Sequence, residues 1–277
     1  MFPQLPFSYF DNTDFCFAKL ITKNYAERDN GVFLRLLNHN YGLVAGLKGL
    51  NDKILAYWNF QSVNLDGDFE NQVNIADLPL VATTSDTVAG IIGNGLWGNG
   101  NNYAESTDTR LDPQVARFLG FGGWVNTAID TGSLSTSTTY EEPILSGFAT
   151  SGYYLRVRAV TDDPVDIGTI TYSVVLQIEY DSSPLEVAIT TAAVGWNFFY
   201  FEINFAAGEA KLSVNAGAFS TISFSEIDTI VSNFYVGGDT SNDLIPTIDE
   251  IFVSDEALDL ADLAVIYNSG SANAYPF

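Results

Sequence analysis

The chain has 277 residues and carries 34 acidic against 11 basic side chains, a formal charge of −23. So acidic an exterior repels nucleic-acid backbones and anionic lipid alike, and no run of about 18 apolar residues offers a membrane-spanning helix. Plentiful Val, Ile, Thr, Tyr and Phe with frequent Gly and few Lys suit a sheet protein, and the single Cys16 excludes an intrachain disulfide.

Residues 1–53 differ from the rest. They hold six bases (Lys19, Lys23, Arg28, Arg35, Lys48, Lys53) against five acids, whereas the other five bases face 29 acids. Phe2, Pro3, Leu5, Pro6, Phe7, Tyr9 and Phe10 form an aromatic, Pro-punctuated start that suits an extended arm. It lacks the basic start and apolar core of a signal peptide, so synthesis in the cytosol without classical secretion is expected. Between Asp14 and Arg28, the residues Phe15, Phe17, Leu20 and Ile21 fit either a strand or a short helix. Phe33, Leu34, Leu36, Leu37, Leu43 and Val44 follow between Asn- and Gly-rich breaks. A segment this apolar needs cover, beneath the rest of the chain or on another subunit.

From Leu55–Phe60 onward the pattern is that of strands. They are predicted near 117–126, 153–160, 169–180, 185–191, 197–205, 211–215, 232–236 and 248–253. Tyr172, Val174, Leu176, Ile178 and Tyr180 alternate strictly, as one buried sheet face requires. One helix is predicted at the tail: Asp259 caps it, Asp262 completes the cap, Leu260, Leu263 and Ile266 face inward, and Gly270 stops it. The chain therefore divides into an extension, 1–53, and a sandwich, 54–277.

Catalytic inventory is thin. His39 is the sole histidine and Cys16 lies far from it in sequence, so neither a Cys–His pair nor a His-rich metal site can be assembled. Gly93-Asn94-Gly95-Leu96-Trp97-Gly98 matches a dinucleotide fingerprint only formally, because GNGNNY after it cannot begin a helix. Asp66, Asp68 and Glu70 gather hard oxygen ligands in one turn and are candidates for structural Ca²⁺, with Asp249 as a further candidate. Trp97 and Tyr103, flanked by Asn99, Asn101 and Asn102, form the best candidate platform for a glycan. Trp58, Trp124 and Trp196 are expected in the core.

Five blocks, taken in order, resemble laminin G-like domains of the concanavalin A-like lectin/glucanase superfamily. They are LAYWNF (55–60), GNGLWGNGNNYAE (93–105), FLGFGGWVNT (118–127), GWNFFYFEINFAAGEAKLSVNAG (195–217) and the tail from Val231 to Gly270. The resemblance implies an all-β, two-sheet antiparallel jelly-roll sandwich with a short C-terminal helix and an N-terminal extension. Laminarinase-like members carry E-x-D-x-x-E on one strand. Here Glu226 and Asp228 match, but Val231 replaces the second Glu, so the general acid is missing and hydrolysis is not expected. Similar sandwiches recur in bacteriophage structural proteins. The resemblance thus implies a non-enzymatic virion component, a capsid decoration or tail-fibre protein, in which Phe2, Phe7, Tyr9 and Phe10 dock onto other subunits. It implies a homo-oligomer with a trimer favoured, and contact with glycans. A free carbohydrate-binding lectin is the competing expectation, with a glycoside hydrolase behind it.

Overall fold

The computed structural model describes residues 49–61, 63, 67–73, 78, 80–82, 87–97, 103–127, 139–148, 152–161, 170–180, 183–224, 233–237 and 246–277. The chain divides into two units between Lys48 and Gly49, and the described residues belong to the second. No helix among them is long and apolar enough to cross a membrane.

The elements run as follows. A 3₁₀ turn, Leu50–Lys53, leads into β1 (Ile54–Trp58), β2 (Asp68–Phe69), β3 (Leu80–Ala82), β4 (Thr87–Ala89), β5 (Asn94–Trp97) and β6 (Ala104–Ser106). A single helical turn, α1 (Pro113–Ala116), precedes β7 (Phe118–Asn126), β8 (Thr139–Phe148), β9 (Gly152–Thr161), β10 (Ile170–Tyr180) and β11 (Ser183–Ala192). Next come β12 (Trp196–Asn204), β13 (Glu209–Val214), β14 (Ser220–Ser223), β15 (Asn233–Val236), β16 (Thr247–Ser254) and the tail helix α2 (Leu260–Tyr267). Sheet I has the order β14-β13-β12-β7-β16-β5-β4, with β1 also on β16, and sheet II the order β11-β10-β9-β8-β15-β6-β3-β2. Neighbouring strands pair antiparallel, as in β7–β12, β7–β16, β8–β9 and β9–β10. This is the two-sheet antiparallel sandwich that the sequence predicts.

The two inner faces meet in one apolar core. Phe121 and Phe201 of sheet I stack with ring centroids 4.9 Å apart. Phe121 also meets Phe234 at 5.5 Å and Tyr153 at 5.3 Å, both from sheet II. Such aromatic pairs contribute about 0.5–1.5 kcal/mol each beyond their buried area, so the sheets are joined by rings rather than by polar bonds. Val174, Leu176 and Ile178 enter this core from β10, as their alternation predicts, while Tyr172 joins a smaller cluster with Ala159 and Ala192. Gly147 makes room for Tyr153, since a Cβ there would overlap the phenol ring.

β8 is a strand that sequence pattern does not predict, because Pro143 stands within it. Its register shifts between Pro143 and Leu145. A bulge is one of the places where a sheet tolerates proline. The tail helix begins as predicted: the Asp259 carboxylate accepts from the backbone N–H of Ala261 and of Asp262, and Asp262 reciprocates. Two details differ. Leu260 is 43% exposed rather than inward, because Leu263 and Ile266 already fill the buried stripe. The helix stops at Asn268 in a left-handed conformation (φ 45°), and Gly270 instead ends the short 3₁₀ turn that follows. Of the four tryptophans, Trp58 and Trp124 are buried, and Trp196 is half-buried against the same cluster as Trp124.

Candidate functional site

The outer faces of the two sheets are unlike. On sheet I the outer side chains are themselves apolar: Tyr57, Trp124, Phe198, Tyr200 and Phe252 form one buried cluster with Leu263 and Ile266 of α2. Tyr267 stacks on Trp124 at 5.6 Å, and Phe277 lies edge-on to Phe252 at 6.0 Å. Gly120 and Gly122 alternate with core residues on β7 and leave room on this side. A Cβ at Gly120 would meet Tyr200 and Ser254, and one at Gly122 would overlap the ring of Phe252. Asn51 exchanges two hydrogen bonds with the backbone of Phe277, at 3.0 and 2.8 Å, and Lys53 donates to Asp262 at 2.6 Å. Helix and tail thereby seal this face.

Two carboxyls lie buried in β16. Asp249 accepts from the backbone N–H of Ile92 (3.1 Å) and of Glu250 (2.8 Å), so it holds the Gly90–Gly93 turn against the strand. Burial pushes its pKa up to about 7 against those stabilising N–H bonds. Glu250 sits at a bulge with φ 54° and is 3% exposed, and neither carboxyl oxygen has a hydrogen-bond partner. Burial pushes it up to about 8. Both side chains are buried within the sandwich.

Sheet II presents a different surface. Cross-strand register lines up Gln177, Tyr154, Ser146, Tyr235, Glu105, Val81 and Asp68 in one transverse row, each opposite the next. Directly opposed residues share a face. Tyr153, Phe234 and Leu80 point into the core, so the row faces outward. Ser146, 6% exposed, forms a floor between Tyr154 and Tyr235, which are half-buried and stand two strands apart, roughly 9.5–10 Å. Tyr103 meets Tyr235 edge-on at 5.7 Å, and Asn233 donates to the Tyr235 hydroxyl at 2.8 Å. Along β9 the same face carries Arg156 and Arg158, both bonded to Glu141 across the pair, Arg156 at 3.1 Å. The Arg156 guanidinium lies 4.5 Å over the Tyr154 ring. Beyond Val81, a shallow depression is lined by Ser106, Thr107, Asp108 and Thr109. Beside it the Arg110 guanidinium holds the Asp108 carboxyl below its usual range. Flat aromatic surfaces beside oriented polar donors are what sugar recognition requires.

The residues singled out by sequence fall in several places. Tyr103 belongs to the outer face of sheet II. Trp97 follows the inward Leu96 on β5 of sheet I and pairs with Thr247, so the two aromatics lie on different sheets. Asn99, Asn101 and Asn102 lie outside the described residues, as do Asp66, Glu226, Asp228, Val231, Cys16, His39 and the arm residues Phe2, Phe7, Tyr9 and Phe10. Asp68 ends the outer row of sheet II and Glu70 is exposed just after β2, whereas Asp249 lies on sheet I. Asp249 is buried there, and its two oxygens accept from the backbone N–H groups of Ile92 and Glu250. Among the described residues no three His, Cys, Asp or Glu side chains converge. Tyr154, Ser146, Tyr235 and Arg156 are not singled out by sequence pattern. The signal for one of them was present in GYYLRVRAV, where the parity opposite to the core holds Tyr, Arg and Arg.

No family model matches the chain, and no curated protein does. Solved structures do. A binding domain of botulinum neurotoxin DC in complex with SialylT superposes with a TM-score of 0.56 at 13% identity, over 79% of this chain and 51% of that one. The binding domain of Paraclostridial mosquitocidal protein 1 gives 0.56 at 12% identity, over 80% and 53%. The receptor binding domain of botulinum neurotoxin type G gives 0.55 at 10% identity, over 78% and 51%. The likeness is one of fold, and the chain spans about half the length of the structures it matches.

Proposed function

We propose that this chain is a non-enzymatic, carbohydrate-binding sandwich displayed by a larger assembly, with residues 1–53 attaching it to neighbouring subunits. The observation that carries the reading is the outer face of sheet II, where Tyr154 and Tyr235 flank the buried Ser146 and Tyr103 backs the second ring. Two considerations support a binding role over hydrolysis. Glu141 on this face is neutralised by two arginines. The carboxyls raised most by burial, Asp249 and Glu250, belong to β16 and are themselves buried. Likeness in fold to domains whose names describe binding agrees with the reading.

The assembly we favour is a virion, with the chain as a capsid decoration or tail-fibre subunit, in keeping with the resemblance to phage sandwich modules. Phe2, Phe7, Tyr9 and Phe10 are its docking residues and a homotrimer its expected state. A glycan array with the full chain tests the binding half, and Tyr235→Ala should weaken any signal. Deleting residues 1–48 tests the other half, because it spares the Asn51 and Lys53 anchors. The truncated protein should lose particle association and keep glycan binding. Continued association would sink the docking arm, and a blank array would sink the carbohydrate reading.

A further inference from the structure

We infer that the ligand of sheet II is an acidic sugar, its ring lying over Ser146 between Tyr154 and Tyr235 and its carboxylate on Arg156. The inference rests on the carbohydrate reading above and adds the chemical class.

Charge distribution is the first argument. Five basic residues serve the whole of 54–277, against 29 acids. Two of those five, Arg156 and Arg158, stand on one strand of this face and share one described acid, Glu141. The two cations thus stand beside Tyr154 at one end of the row, while the acids Glu105 and Asp68 lie toward its other end. A cation placed there selects for a negative group on the ligand at the Tyr154 end of the row.

Preorganisation is the second. Glu141 holds one N–H of Arg156, and the guanidinium carbon lies 4.5 Å from the centre of the Tyr154 ring. Among the described residues the Arg156 side chain makes no other hydrogen bond, so the rest of its fork is unengaged. A planar fork of N–H donors matches a carboxylate in two-point fashion. A neutral sugar would engage the tyrosines and leave that fork unused.

Geometry is the third. In register, Arg156 sits opposite Val175 and Tyr154 opposite Gln177. The cation therefore lies one outward position along β9 from the ring that would stack on the sugar. A carboxylate projecting from the edge of a stacked pyranose reaches it without leaving the face.

Calorimetry with the full chain tests the class, with trigalacturonate and sialyllactose as probes, each beside its methyl ester. One acid should bind, its ester at least about tenfold more weakly, and the acid's affinity should fall as salt rises. Arg156→Gln should remove the preference for acid over ester, Arg156→Lys should restore part of it, and both variants should keep the parent melting temperature. Tyr235→Ala should weaken acid and ester alike. Equal affinity for acid and ester, or an unchanged preference in Arg156→Gln, overturns the acidic class and leaves the carbohydrate reading standing. Binding of neither acid nor ester, joined to a blank array, overturns both.

Discussion

Sheet I and sheet II share one core and treat their outer faces in opposite ways. The outer residues of sheet I are aromatic and mutually packed, so the face is stable only beneath α2 and the tail. The outer residues of sheet II are mixed: Val175 is buried opposite Arg156, tyrosines offer a ring and a hydroxyl, and arginines pair with Glu141 or lie on a ring. The difference teaches where function can reside. A face that must be sealed to fold cannot also receive a ligand, whereas one whose polar groups are already oriented can.

That contrast is most easily broken on sheet I. Phe252→Ala removes a ring that packs against Phe198, Tyr200 and Phe277, and should destabilise the fold by about 3–5 kcal/mol, read by urea denaturation. A loss under about 1 kcal/mol would mean that the tail does not seal the face. Next in size is a pH effect seated in β16. The folded pKa values of Asp249 and Glu250 are raised to about 7 and about 8. Their contribution is therefore fully present below the ordinary carboxyl range and is lost as pH climbs from there through 7 and 8. Stability should fall by several kcal/mol between pH 5 and pH 9, since each tenfold change in a protonation equilibrium is worth about 1.36 kcal/mol. Glu250→Gln should flatten the curve, and a variant with the parental slope would remove Glu250 from the account.

Smaller effects sharpen the comparison. Asp259→Ala deletes the N-cap of the helix that covers sheet I and should cost about 1 kcal/mol, seen as a lower urea midpoint with no change in sugar affinity. On sheet II, Tyr154→Ala should alter stability by less than about 1 kcal/mol while removing sugar affinity in the same preparation. Large destabilisation by Tyr154→Ala would show that sheet II is sealed like its partner and would withdraw it as a binding face.

The long strands β7, β9, β10, β12 and β16 were legible because period-2 alternation or dense aromatic runs mark them. The tail helix was legible from Asp259 and Asp262 alone. The short strands β2 to β6 were not, since two to four residues hold too few positions to show a period. β8 was masked by Pro143, which only its bulge accommodates. Of the candidate site, Tyr103 was legible beside its asparagines, and its partner Tyr235 was not.

Sequence by itself determined the class of fold, the acidic exterior and the helix at the tail, because composition, alternation and capping act over a few neighbouring residues. Tertiary structure alone decided which residues line the outer face of sheet II. Glu105, Ser146, Tyr154, Gln177 and Tyr235 are strangers along the chain and adjacent only through strand register. Register is set by the packing of the whole core: a slip of one residue would turn each of these side chains inward.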